Sequence, residues 1–478
     1  MSQLPTDCLN DIFEYLDDRF TLYSCILVSR IWCEISVKFF WNNSNNYSIS
    51  NISILVACLP NESKEILCEN GIPILSPTTK LPIFNYASFC KVLSINNIQR
   101  KTEELLKNQQ TISHQILYNN TNIVTQEICK MFMKQIPSLK KLVLLPYEDT
   151  IPNFILNLEA KDCLKNLSEL RCDSNISPEI FYQLSQMCHN ISLLHLHWYY
   201  PYFTDGLTDL ISVQRNLKHF VMTQDDCNIG NTSLSLITKL PNTLIKLNLY
   251  NYNNLSLSFI TKFSNLQELE LSFEYYEDFT DFEKLSYVSF LQLQILRFQY
   301  SRPNIELLMR FLENNGKNLK EFYVCESDNL LNLAISKFCT NLRKLFTRFK
   351  NDELETFKII FKSCLYLKSI GICCGGRFLN EKEILEAIVK YSHENISEVV
   401  ILHQSYVYHL QTEKLSPKEL ESFFKNWANR VPQTLLTLVI VTNRFFKQSL
   451  DKNEKNMKII KKYIELGVIK DFKVRNSY

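Results

Sequence analysis

The feature that most constrains this chain is a pattern, Leu-x-x-Leu-x-Leu, that returns twelve times after residue 137. The copies are Leu139/Leu142/Leu144, Leu167/Leu170/Cys172, Ile191/Leu194/Leu196, Leu217/Phe220/Met222, Leu244/Leu247/Leu249 and Leu266/Leu269/Leu271. They continue as Leu293/Leu296/Phe298, Leu319/Phe322/Val324, Leu342/Leu345/Thr347, Leu367/Ile370/Ile372, Ile396/Val399/Ile401 and Leu435/Leu438/Ile440. Cys90/Leu93/Ile95 reads as a degenerate earlier copy. Starts lie 22 to 29 residues apart, with a final gap of 39 that holds an insertion, 407–429. The alternation inside each copy is that of a short strand with one buried face. Helix signals fall between copies. Ser177-Pro178-Glu179 and Ser416-Pro417-Lys418-Glu419 are helix starts, while 303–315 and 352–364 carry apolar residues at helical spacing. A unit of one strand and one helix cannot bury its own apolar face, so units must stack and share a core. The expected fold is an α/β solenoid over 86–442, with parallel strands on a concave face and helices on a convex one. Residues 47–85 read as a connector and 443–478 as a cap on the open end.

Composition narrows the function. The 478 residues hold only eight glycines, against a usual share of ~7%, which leaves little material for glycine-rich phosphate loops. The net charge of +2 gives no global attraction to nucleic acid or an anionic membrane. No apolar run reaches the length of a spanning helix. The 16 cysteines include no Cys-x-x-Cys pair, which argues against zinc ribbons and redox motifs and for reduced thiols in the cytosol or nucleus.

Residues 1–46 predict three short helices. Leu9, Ile12, Phe13 and Leu16 form one stripe, with Thr6 as the expected N-cap. A second helix begins near Thr21, and Ser29 caps a third that carries Trp32, Ile35 and Phe39. Such a bundle has more apolar residues than its own core can use. The run Leu4-Pro5, Leu9, Ile12-Phe13, Leu16, Val28-Ser29-Arg30-Ile31-Trp32, Phe40-Trp41 resembles an F-box. The resemblance implies docking on a Skp-type adaptor and, through it, on a cullin–RING ligase core. It points to Leu4, Pro5, Leu9, Ile12, Phe13, Leu16, Leu22 and Trp32 as the adaptor-binding positions.

The later copies resemble the long, cysteine-containing leucine-rich repeats that often follow an F-box. Cys188, Cys339 and Cys364 stand three residues before a first leucine, as that class favours. The Asn or Cys expected nine places into each unit is mostly missing, Asn175 excepted, so the loops after the strands must satisfy their backbone groups in another way.

No enzyme motif survives inspection. Gly371–Arg377 has the glycine spacing of a P-loop without its Lys-Ser/Thr, and His393-Glu394 lacks a second histidine. His195 and His197 share one strand face, with Asp173 beside them one repeat earlier. That set has the makings of a zinc site, but polar residues on an exposed binding face are the simpler reading. No catalytic residue, metal or cofactor is expected. The expected role is a non-catalytic substrate receptor of a ubiquitin ligase. A scaffold outside any ligase and a leucine-rich-repeat GTPase regulator are the alternatives. The unknown target is expected on the face opposite the leucines, at Arg171, His195, His197, His219, Tyr250, Glu270, Arg297, Tyr323, Phe346 and Arg348. Neither nucleic acid nor membrane is an expected partner.

Overall fold

A computed structural model of the chain describes residues 4–16, 18–73, 82–109, 113–145, 160–198, 205–224, 234–251, 256–403, 415–432, 434–442 and 450–476. The chain divides into two compact units, Met1–Thr243 and Leu244–Tyr478. The first opens with α1 (Thr6–Glu14), α2 (Arg19–Ile26) and α3 (Arg30–Phe40). Pro5 rather than Thr6 precedes α1, so no side chain caps it. Asp18 caps α2 by accepting from the Thr21 N–H, and Ser29 caps α3 by accepting from that of Trp32. Leu9, Phe13, Cys25 and Ile35 form the core of this bundle, and Leu16, Trp32 and Phe39 close over it.

The supposed connector is itself packed. It contains α4 (Ile49–Ala57) and α5 (Asn61–Glu69), which lie against the two long helices that follow β1 (Val92–Ser94), namely α6 (Ile95–Gln109) and α7 (His114–Gln135). Ser63 donates to the buried Glu127 carboxylate at 2.7 Å. The helical bundle is sewn to the first strand. The Asn42 carbonyl accepts from the N–H groups of Lys91 and Val92, and the Ser94 N–H donates to the Ser44 hydroxyl. Strand–helix units then follow: β2 (Lys141–Leu144), α8 (Ala160–Leu164), β3 (Glu169–Asp173), α9 (Pro178–Met187), β4 (Leu193–Trp198), α10 (Asp205–Ser212), β5 (His219–Gln224) and α11 (Leu234–Lys239). From β1 to β5 each strand pairs in parallel with the next.

The second unit continues the same grammar with β6 (Lys246–Tyr250), β7 (Glu268–Ser272), α12 (Phe282–Ser286), β8 (Ile295–Phe298), α13 (Ile305–Asn315), β9 (Glu321–Val324), α14 (Asn329–Phe338) and β10 (Lys344–Arg348). It goes on through α15 (Leu354–Ser363), β11 (Ser369–Cys374), α16 (Glu381–Tyr391), β12 (Glu398–His403), α17 (Pro417–Ala428), β13 (Leu436–Thr442), α18 (Glu454–Glu465) and β14 (Ile469–Asn476). β6 to β14 are again parallel in sequence order. The expected cap therefore adds a strand to the sheet. The chain is an all-α region followed by α/β repeats.

One backbone contact recurs in both units. The carbonyl just after the first leucine accepts two consecutive N–H groups from the next repeat. Lys91, Lys140, Ser168 and Ser192 do so in the first unit, and Ile245, Gln267, Gln294, Lys320, Arg343 and Lys368 in the second, at 2.7–3.1 Å. The leucine positions are buried in every copy but the last. There Leu435 is 48% exposed and Leu436, the first residue of β13, is fully buried.

After β10 a helix amide stands in for the missing loop asparagine. Asn332 of α14 donates to the Arg348 carbonyl and to Glu353, and accepts from Thr347, the polar residue that stands in a leucine place. Gln214 and Asn315 do the equivalent work before β4 and β8. Each accepts from one loop N–H and donates to a loop carbonyl. The class cysteines serve as well. The Cys364 thiol donates to the Cys339 carbonyl at 3.5 Å, and the Cys188 thiol to that of Leu164 at 3.6 Å.

The register makes a sharp prediction for denaturant unfolding. Leu269→Ala and Leu436→Ala should each cost about 2–5 kcal/mol, while Leu435→Ala should leave the midpoint nearly unchanged. Equal effects at 435 and 436 would contradict the assignment of Leu436, and not Leu435, to the core.

Candidate functional site

Two surfaces were expected to carry function. The first is the helical bundle. Burial divides its eight named residues. Leu9, Phe13 and Leu22 are interior, so they shape the module rather than touch a partner, which corrects their expected role in contact. Leu16 and Trp32 are half-buried, and Phe13 meets Trp32 edge-on at 5.2 Å. Leu4, Pro5 and Ile12 are exposed. Six further exposed apolar residues were not among the expected adaptor-binding positions: Tyr15, Phe20, Tyr23, Leu27, Val28 and Ile31. Phe20 is 84% exposed and Leu27 70%. The signal was present in α2, where apolar residues at 20, 22, 23, 25 and 26 surround the helix and cannot all turn inward. So much bare apolar surface within 28 residues is the mark of an interaction site.

The second surface is the sheet face opposite the leucines. In the first unit, register brings Arg171 beside His195 and Asp173 beside His197. The Arg171 Nε–H donates to His197 Nε2 at 3.0 Å, the two imidazoles stack at 4.4 Å, and His195 Nε2 contacts the Thr223 hydroxyl at 3.2 Å. Asp173 accepts from the Asn175 N–H. A metal would need the His197 lone pair that Arg171 occupies, so the geometry gives a hydrogen-bonded platform rather than a zinc site. Burial first, then the neighbouring His197 and Arg171, push the His195 pKa down to about 3. His219 lies on the same face of β5, half-buried.

In the second unit the face changes character along its strands. Arg297 reaches Glu268 at 2.5 Å, Glu321 at 3.1 Å and Glu270 at 3.5 Å, while Lys246 and Lys344 hold the outer carboxylates. Burial alone would raise the Glu268 carboxyl, but Arg297 and Lys246 hold it below its ordinary value. Glu270 is on the expected face but buried beneath Arg297, Gln299 and Asn248, so it is not open to a target as anticipated. Tyr250 is half-buried next to Asn248. Beyond this network the face turns aromatic. Tyr323 stacks on Phe346 at 4.2 Å, and a side chain at Gly371 would collide with the Phe346 ring at 2.3 Å. Gly371 thus lets Phe346 lie flat across the next strand. Arg348 stands over the Phe378 ring at 5.4 Å.

Residues 1–46 match the family model described as F-box-like. The chain carries an F-box-like domain. No curated protein matches the sequence. Among solved structures, the crystal structure of the Rad7 and Elc1 complex in yeast is similar at a TM-score of 0.38 and 12% identity, covering 94% of this chain and 96% of the other, a likeness too slight to carry an argument. The F-box-like module precedes a series of strand–helix repeats. Among the described residues no helix is long and apolar enough to cross a membrane.

The His195 environment predicts a pH dependence. Its folded pKa lies below the ordinary value of 6.5, so the unfolded chain binds the extra proton first. His195 therefore favours folding above pH 6.5, and that contribution is lost as pH falls from 6.5 toward 3. Urea midpoints measured between pH 7 and 5 should fall less steeply for His195→Gln than for wild type. Parallel slopes would contradict the buried, neutral assignment.

Proposed function

We propose that this protein is the substrate-recognition subunit of a cullin–RING ubiquitin ligase. Its F-box-like domain docks on a Skp-type adaptor, and its repeat sheet binds the target. The observation that carries the reading is the coincidence of the family match over 1–46 with the unsatisfied apolar side chains of the same residues. The protein makes and breaks no bonds in this role. It raises the effective concentration of a bound target near the ligase's charged ubiquitin carrier. None of the described cysteines is in a disulfide, which supports a reducing compartment, the cytosol or nucleus. Target capture is placed on the aromatic part of the second unit's sheet. Tyr323, Phe346 and Arg348 are held there on a rigid strand face, and Tyr and Arg are favoured hot-spot residues. A scaffold that uses the F-box-like domain outside a ligase is the second reading, and absence of cullin from purified complexes would favour it.

Two experiments test this. Leu4→Ala with Pro5→Ala removes exposed apolar contacts without touching the bundle core, and should weaken adaptor binding by about 1–3 kcal/mol. Target binding should persist while target ubiquitylation falls. Undiminished recovery of adaptor and cullin would contradict the docking mode. Separately, replacing Tyr323, Phe346 and Arg348 together should abolish target capture while the circular dichroism of the protein is kept. Retained capture would move the target site elsewhere on the chain.

A further inference from the structure

We propose that Cys374, Glu381 and His403 form a binding site for a divalent transition metal of the zinc class. The three residues are brought together by the repeat grammar itself. Cys374 ends β11 and His403 ends β12, and they are direct register partners. Alternation carries the leucine stripe one step beyond Ile372 and Ile401, so both side chains turn into the core. In the preceding repeat Phe349 fills the same place with carbon. After Cys374 the chain makes a tight turn. Gly375 and Gly376 take φ values of 89° and 65°, and the Gly375 N–H donates to the Leu379 carbonyl at 3.2 Å. That turn returns the chain so that Glu381, the first residue of α16, faces His403. Glu381 Oε1 lies 3.0 Å from His403 Nε2, and Cys374 Sγ lies 3.7 Å from His403 Nδ1. One donor atom from each residue falls within 4.8 Å of the others, and all three residues are buried.

The chemistry of the set selects the ion. A thiolate, an imidazole and a carboxylate together suit a borderline dication, and zinc is the commonest such ion. A thiolate and a carboxylate around a neutral imidazole balance two positive charges, which removes the cost of an ionised carboxylate in the core. Zinc bond lengths place tetrahedral donors about 3.3–3.6 Å apart. Binding therefore requires the His403 ring to turn until one nitrogen faces both other donors, and the sulfur–carboxylate gap to close by about 1 Å. The thiol proton leaves to solvent, and a water completes the fourth position.

The test uses the full-length protein, reduced and stripped of metal, then titrated with cobalt(II) and zinc(II). A thiolate-to-cobalt charge-transfer band should saturate at one equivalent and be displaced by zinc, and zinc should raise the thermal midpoint. Cys374→Ser should remove the band while Cys373→Ser, one residue away, keeps it. His403→Gln should weaken binding by at least about tenfold. No band, a band that survives Cys374→Ser, or a wild-type midpoint indifferent to zinc would each overturn the proposal. The three residues would then be a buried polar contact joining α16 to the strand ends. If Cys374→Ser does not fold, Glu381→Gln and the wild-type response to zinc decide the matter by the same criteria.

Discussion

One carbonyl per repeat holds this protein in register. In ten repeats the residue after the first leucine position offers its oxygen to two successive N–H groups of the following repeat, and the leucine stripe beside it is buried at the same step. Directional bonding and apolar burial thus share a period, so a slip of one residue would break the bonds and expose the leucines together. The polar face, the loops after the strands and the helices behind them are all placed by that coupling. Where it weakens, the structure changes. Ser397 accepts from the Thr437 N–H while the Leu436 N–H turns to the Val468 carbonyl, and there Leu436 is buried in the place expected of Leu435.

A repeat that lacks the usual loop asparagine needs donors from another source. Here they come from side-chain amides on or just after helices. Asn332, Asn315 and Gln214 are all buried; Asn315 and Gln214 each accept from one loop N–H and donate to a loop carbonyl, while Asn332 donates to the Arg348 carbonyl and accepts from the Thr347 hydroxyl. Thr347 in a leucine place would be a costly buried hydroxyl without Asn332. The two departures from the apolar pattern therefore compensate each other, fifteen residues apart.

The strands were legible because each copy states its own period. Even the degenerate copy at Cys90, Leu93 and Ile95 holds a short strand, Val92–Ser94, with all three residues buried. The helices α9, α13, α15 and α17 lie where start signals and apolar spacing put them. The packing of the 47–85 connector was not legible, since that of α4 and α5 on α6 and α7 depends on contacts such as Ser63–Glu127 between residues far apart in the chain. Site residues were half legible. Alternation put Tyr323, Phe346 and Glu270 on the right face. It could not foresee that Arg297 and its carboxylates would close over Glu270, or that Gly371 would let Phe346 lie down. In the bundle, the stripe of α1 identified the core residues Leu9 and Phe13 as readily as the exposed Ile12, because core and contact share one helix.

The account rests on a division of labour: apolar side chains of residues 4–31 meet the adaptor, while the repeat sheet is complete without it. Hydrogen–deuterium exchange of the full chain, alone and with a purified Skp-type adaptor, tests this most directly. The account predicts that added protection is confined to α1–α3 and that β1 to β14 exchange at unchanged rates. Protection spread over the strands, or none within the bundle, would contradict it.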